Sequence, residues 1–529
     1  MRRLQIALLA ALCLFMTACA TNQQFVGGRL SLPEKIAPEE GVMVMKLVGI
    51  QRLSVFNAKW KSIKLTNKKT DLVTEIFDTA PPFASYSLFM GTLPAGQYEI
   101  TGLEALGPGP GTFGVIPALV IMAMTTDSQT LNARLGTFTV QPGKLANLGT
   151  VVSSFSEVKD EPMRVAVLNS DFGRKAALND VDPEARTRVE KMPSTSWDKT
   201  AGGNENAALA NIRKFATNVA ALETTAEKQV LIGSALGMLH LRQPGGEWQH
   251  LATGALDTLT YVKPLESGRI FAANESGKYF VWLPERRDWF ENKLAGSDYR
   301  IFGLEAIGAH GYAFLAGSTW MPTLSNPMKT KLLFKKNLLD NTPPVEVLEI
   351  EGFPALGRLP MFYDGTHLQV FFNHVGISRK VDRYRIDPAS LEKKQDTLDF
   401  WANNFYRVAD GTLVMDRMNG ISHYNSFSSD QGKTWRHNEE GGPHSVRFID
   451  SRHGYGLSTL SMGWSTVTGV LNKTDDGGKT WVQTGKPLEL AGLAPVRVID
   501  GVVYVHTGKE LVSTVDEGAT WKTEWPNAR

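Results

Sequence analysis

A chain of 529 residues is too long for one ordinary hydrophobic core, so two or more domains are expected. Hydrophobic residues at 42% and charged residues at 21% describe a folded globular protein and exclude a disordered one. The formal net charge of +2 belongs to Arg2 and Arg3; without them 54 basic residues face 54 acidic ones, which leaves no electrostatic case for nucleic acid.

Arg2 and Arg3 form a short positive start, and Ile6 to Phe15 is an apolar run of signal-peptide length, too short to span a bilayer. It ends in Met16-Thr17-Ala18-Cys19. This resembles a bacterial lipobox, in which cleavage precedes the cysteine and its thiol takes the lipid. The resemblance implies a signal peptide over 1–18, lipidation of Cys19 and a tether over 19–40. Several acyl chains on one residue make a stable membrane anchor. The other cysteine, Cys13, falls in the discarded segment, so the mature chain has no disulfide, which suits an oxidising compartment. In Gram-negative lipoproteins an Asp after the cysteine retains the protein at the inner membrane. Ala20 therefore points to the outer membrane, and the chain to the bacterial cell envelope.

Residues 41–170 read as short strands. Val42 to Leu47, Trp60 to Leu65 and Val73 to Phe77 are β-rich and bounded by turn residues. Pro94 and Gly96 set a turn before Gln97 to Ile100, and Pro142-Gly143 repeats the device. These phrases resemble the small β-sandwich modules near lipoprotein anchors, of transthyretin-like or carboxypeptidase-regulatory type. Phe113 to Met124 is almost wholly apolar, either a buried core element or a lipid- or partner-facing loop. Residues 171–223 read as a helical connector. Asp182 caps a helix with Pro183 at its first position. A second helix is expected from Asn206 to Leu222, with Leu209, Ile212, Ala216 and Val219 on one face.

Residues 224–529 carry a repeat. Ser428-Ser429-Asp430-Gln431-Gly432-Lys433-Thr434-Trp435 returns as Thr474-x-Asp476-x-Gly478-x-Thr480-Trp481 and as Thr514-x-Asp516-x-Gly518-x-Thr520-Trp521. The steps match one blade of a β-propeller. The pattern resembles the Asp-box (BNR repeat) of sialidase-like propellers, and implies a scaffold role for these residues rather than catalysis. Asp serves the turn backbone, Gly takes a conformation that a Cβ penalises, and Trp packs between blades. The beat continues upstream at Trp248 and Trp289, and the spacing predicts seven blades of four strands. The phrases Tyr406 to Gly411, Val446 to Asp450 and Val496 to Gly501 predict inner strands. The fold class expected is mainly β: an N-terminal β-sandwich, a short helical connector and a C-terminal seven-bladed propeller.

In such a ring the box turns mark one face and the second-to-third connections the other. Two of the latter are long and carry aromatics: 318–328 with Trp320 and Met321, and 461–466 with Trp464. Aromatic anchors in loops commonly serve binding. Arg379, Lys380, Arg417 and His423 are expected to border the same face, which is the candidate binding face.

The resemblance raises sialidase activity, but this sequence departs from that pattern. No arginine lies around Gln229 to Gly233, where the first of three substrate arginines belongs, and Tyr384-Arg385-Ile386 is followed by Asp387 where a proline belongs. No catalytic set, metal site or cofactor is predicted; His437, His444 and His453 lack zinc-ligand spacing. The expected function is a membrane-anchored binding or scaffold protein for an envelope protein or glycan. The alternative is a divergent glycan-active hydrolase.

Overall fold

The computed structural model describes residues 32–33, 35–51, 60–80, 84–105, 130–131, 135–155, 164–200, 204–225, 227–294, 299–318, 329–351, 361–373, 380–398, 402–408, 410–419, 422–438, 441–462, 467–490, 496–507 and 510–525. Cys19 with its leader, and the apolar stretch 113–124, lie outside the described residues. The fold is mainly β.

Two sheets open the chain. One pairs Glu40–Gln51, Tyr86–Pro94, Leu145–Phe155, Arg164–Leu168 and Ser194–Thr195; the other pairs Trp60–Asn67, Val73–Phe77, Gly96–Ala105, Thr130–Leu131, Gly136–Val140 and Trp197–Thr200. Glu40–Gln51 runs antiparallel to Tyr86–Pro94 and parallel to Leu145–Phe155, so it lies inside its sheet. Its residues divide by parity, as the pleat requires. Met43, Met45 and Leu47 enter a core shared with Ile63, Leu65, Tyr98 and Phe138 of the second sheet. Val42, Val44 and Val48 enter a core on the opposite side. Both faces of the strand are buried, which is why its sequence is nearly continuously apolar. Lys46 is the polar exception, and it is buried too.

That second core is filled by helices Asp171–Asn179, Pro183–Val189 and Glu205–Arg213 and by residues of the first ring sheet. Asp182 accepts from the amides of Glu184 and Ala185, with Pro183 at the first helical position. The last helix is shorter than its apolar periodicity suggests: it stops at Arg213 and not at Leu222. Thr217, Asn218 and Val219 are poor helix formers. The Asn218 side chain accepts from Ser234 and from the Ala235 amide, and Ala220 pairs with Gly233, so sheet pairing takes the segment.

Seven four-stranded antiparallel sheets follow in chain order, over 221–252, 259–293, 299–351, 361–398, 402–437, 444–490 and 496–525. They form a propeller-like all-β arrangement, and we number these blades 1 to 7. Each neighbouring pair shares an apolar cluster, such as Ala221, Leu231, Leu259 and Val262 between blades 1 and 2. Blade 7 returns to blade 1 through Tyr504, Leu511 and Trp525 packed on Val219, Leu222, Val230 and Ile232.

Among the described residues no strand is shared at this closure; side chains hold it. Arg242 pairs with Glu524 at 3.0 Å with both groups largely buried. The Trp248 indole donates to the Glu524 carbonyl and the Trp525 indole to the Thr217 carbonyl. The two rings lie 4.7 Å apart.

Candidate functional site

The three repeated turns have one geometry. Each joins the third to the fourth strand of its blade, in blades 5, 6 and 7. The hydroxyl of Ser428, Thr474 or Thr514 donates to the Asp two residues on and accepts the amide of Gly432, Gly478 or Gly518. The Asp carboxylate accepts both the amide and the hydroxyl of Thr434, Thr480 or Thr520. These bonds hold Asp430, Asp476 and Asp516 down at about 2. A carboxylate so occupied is a turn brace and a poor acid or base.

Two consecutive residues of each turn lie in the left-handed region. The glycines have φ of 81°, 80° and 87°, and the residues before them, Gln431, Gly477 and Glu517, have φ of 60°, 76° and 55°. A Cβ on Gly478 would also meet Asn438 Nδ2 at 2.9 Å and Phe448 Cζ at 3.1 Å. The closing tryptophans are half-buried rather than sunk in the core. Trp435 packs on the cluster between blades 4 and 5, Trp481 on that between 5 and 6, and Trp521 on that between 6 and 7.

Antiparallel connectivity puts the second-to-third connections and the blade-to-blade links at the other end of the ring. The N-terminal sheets and helices cover this end at blades 1 and 2. Ala235, Leu236 and Leu256 enter their core. Lys46 reaches across to two carboxylates, Asp180 at the end of helix Asp171–Asn179 at 2.6 Å and Asp257 before blade 2 at 2.5 Å. Its ammonium also lies 4.3 Å from the centre of the Tyr86 ring. Beside it the Glu275 carboxylate accepts the Ser85 hydroxyl and the amides of Ser85 and Thr258.

Burial alone would depress the Lys46 ammonium; Asp180 and Asp257 overturn that and hold it above its ordinary value. The two acids are not equivalent. Burial pushes Asp180 up to about 6, because Lys46 is its main compensation. Asp257 also feels burial, but Lys46 and Ser276 outweigh it, Asn274 donates as well, and its carboxyl lies below the usual range. The sequence reading missed this cluster. Its one trace was a lysine inside the apolar phrase Val42 to Leu47.

Of the residues expected on the candidate binding face, Trp320, Met321, Arg379 and Trp464 lie outside the described residues. Lys380 is described and exposed, just before the third strand of blade 4. Arg417 and His423 are described at the hairpin joining the second and third strands of blade 5. Arg417 and His423 do not form an exposed rim. Arg417 is half-buried, donates to the Asn438 carbonyl and leans over Tyr424. His423 is 9% exposed, with Nδ1 3.8 Å from Asp416. Of the histidines near in sequence, His437 bonds Ser426 and His453 bonds Asp450. Among the described residues no three His, Cys, Asp or Glu side chains are grouped to hold a metal ion.

No family model matches the chain, and no curated protein matches it. Similar solved structures include a protein described as a 6-phosphogluconolactonase of Bacteroides fragilis NCTC 9343, at 13% identity and a TM-score of 0.41, covering 57% of this chain and 95% of that one. A polysaccharide lyase, an ulvan lyase, matches at 10% identity and a TM-score of 0.34, over 57% and 94% of the two chains. A chain of the mitotic checkpoint complex matches at 10% and 0.37, over 55% and 85%. None of these likenesses bears on what this chain binds.

Proposed function

We propose that this chain is a lipid-anchored binding or scaffold protein of the bacterial cell envelope, tethered through Cys19, most naturally at the outer membrane. On this reading residues 41–170 are a β-sandwich and 171–223 a connector. Residues 224–529 are a seven-bladed Asp-box propeller, whose end opposite the boxes meets a protein or glycan partner. The observation that carries the reading is a division of labour between the two ends of the ring. At the box end of blades 5 to 7, the Asp, Ser and Thr side chains are spent on their own turns. The opposite end is already used for docking, since the N-terminal sheets and helices seat there on blades 1 and 2. The second strands of blades 3, 4 and 6 finish at that same end of the ring, at Ser318, Asn373 and Met462, and the third strands start there, at Lys329, Val381 and Val467. Loops carried on a rigid scaffold are the usual place for recognition.

The test is in-cell crosslinking and pulldown of the anchored protein against a Trp320→Ala/Trp464→Ala double variant. Specific partners captured by the wild type and lost in the variant support the reading. Partners kept by the variant discard the choice of loops. Capture of none, with turnover of an envelope glycan, would replace it by the hydrolase alternative.

A further inference from the structure

At the box end, a groove of about 530 Å³ opens between blades 5 and 6. Its walls come from both blades: Thr412, Phe427, Ser429 and Arg436 on one side, Ser451, Arg452, Asp476 and Lys479 on the other. Arg436, Arg452 and Lys479 put three cations around one cavity. Among the described residues none of them is in an ion pair, in contrast to several basic groups of blades 2 to 4. There Lys278 meets Glu291, Lys329 meets Glu349, Lys331 meets Glu346 and Arg383 meets Asp396. The lining holds one acid, Asp476, against three cations; it and Asp410 stay ionised, held at about 2 by their turn hydrogen bonds. Asp476 braces its turn, and Asp410, behind the wall, accepts the amides of Thr412 and Ser451.

Arg436 is also held in place. Its guanidinium lies 4.6 Å from the centre of the Phe427 ring, and a Cβ on Gly477 would stand 3.0 Å from its Nη2. A guanidinium fixed between an aromatic face and a turn backbone loses little freedom on binding and keeps its other N–H groups for an oxyanion. The size of the groove suits a ligand larger than a lone inorganic ion. Ser429 lines the groove with the cations, and its hydroxyl can both donate to and accept from sugar hydroxyls.

We propose that this groove binds an acidic oligosaccharide, its carboxylate or sulfate groups meeting Arg436, Arg452 and Lys479 and its ring hydroxyls meeting Ser429. The site is at the opposite end from the loops proposed above and stands without them. It is tested by calorimetric titration of the full-length protein in detergent at low salt with three probes: a heparin hexasaccharide, hexagalacturonate and maltohexaose. Either or both acidic probes bind, maltohexaose does not, and affinity falls as salt rises. Arg452→Glu/Lys479→Glu, at two exposed positions outside the apolar clusters, weakens binding roughly tenfold or more with an unchanged melting temperature. Adding Arg436→Ala removes it. Equal binding of maltohexaose overturns the proposal, as does full binding by the double variant. So does binding of sulfate or phosphate alone, or of hexaglutamate, as tight as that of the acidic saccharides.

Discussion

The two ends of the seven-sheet region are braced by opposite means. Blades 5 to 7 carry their brace within each turn, where an Asp, a Ser or Thr, and a Thr close a local loop of hydrogen bonds at the surface. Blades 1 and 2 have no such turn and borrow theirs from outside, through a buried Lys46 with Asp180 and Asp257 and the apolar core around it. Local bracing is repeated in sequence, and the preceding blade only adds to it, through Arg383 and Gln369 on the first turn, Asn438 on the second and the Lys486 amide on the third. Borrowed bracing is written once and fails if one partner is removed. The two also titrate in opposite senses, since the turn acids are held at about 2 while Asp180 is pushed up to about 6.

The largest effect should come from Lys46→Met. It strands two buried carboxylates, and breaking such a pair costs about 3–5 kcal/mol. Amide hydrogen exchange should rise across 253–276 and in helix Asp171–Asn179 and stay unchanged in 428–525. Unchanged exchange in 253–276 would mean that the apolar core alone carries the junction. Next in size, Gly478→Ala forces a Cβ into the left-handed region and against Asn438 and Phe448. It should cost about 1–3 kcal/mol, and the exchange pattern should be the mirror of the first, confined to blades 5 to 7. An effect spreading to blade 1 would deny that these turns act locally.

This contrast also governs what could be read beforehand. The turn brace was visible because all of its partners lie within eight consecutive residues and recur three times, so Asp430, Asp476 and Asp516 identify themselves. The blade rhythm followed from the same spacing. The junction was not visible because its partners come from Lys46, Asp180 and Asp257, and no local pattern joins residues 211 positions apart. The helix end at Arg213 was misread for the same reason: helical periodicity is local, while the strand Ala221–Thr224 is decided by its pairing with Val230–Gly233. Arg417 and His423 lie beside the hairpin of blade 5, but loop position alone does not tell that a side chain folds back under its own blade.

A third way to sharpen the comparison is pH. The folded value of Asp180, about 6, exceeds its ordinary 3.8, so the folded state holds a proton that the unfolded state has released. That contribution is fully present below about pH 4 and is lost as pH rises through 6, by at most about 1.4 kcal/mol for each pH unit. Asp257, lowered instead, matters only below that window. The turn acids contribute above 3.8 and lose their contribution as pH falls toward 2. Burial also lowers His240 in blade 1, to about 3, and His437 and His506 in blades 5 and 7, so both regions lose stability as pH falls below 6.5, while Glu275, raised by burial and by Asp257, acts in the same sense as Asp180. The contribution of Asp180 is therefore read against Asp180→Asn, with exchange corrected for intrinsic rates. Across 253–276 the slowing of exchange that the carboxyl gives should be larger at pH 4.5 than at pH 7, and the turns of blades 5 to 7 should not respond to the substitution. A larger contribution at pH 7 would mean that the Lys46 pairs outweigh the burial of Asp180.

The smallest expected effect tests the turns in the stabilising direction. Gln431 and Glu517 sit at positive φ where blade 6 has Gly477. A side chain there is strained by about 1–2 kcal/mol, and glycine gives back part of the relief as lost chain entropy. Glu517 is also tied to Lys473 at 3.0 Å, so its replacement mixes two effects. Gln431 is the clean site, because among the described residues only its backbone carbonyl is used, accepting from Gln369. Gln431→Gly should raise stability by up to about 1 kcal/mol, seen as a higher melting temperature and slower exchange in blade 5. A loss instead would show that the Gln431 side chain contributes to the turn, and that the three turns, alike in their hydrogen bonds, are not alike in what holds the residue before the glycine.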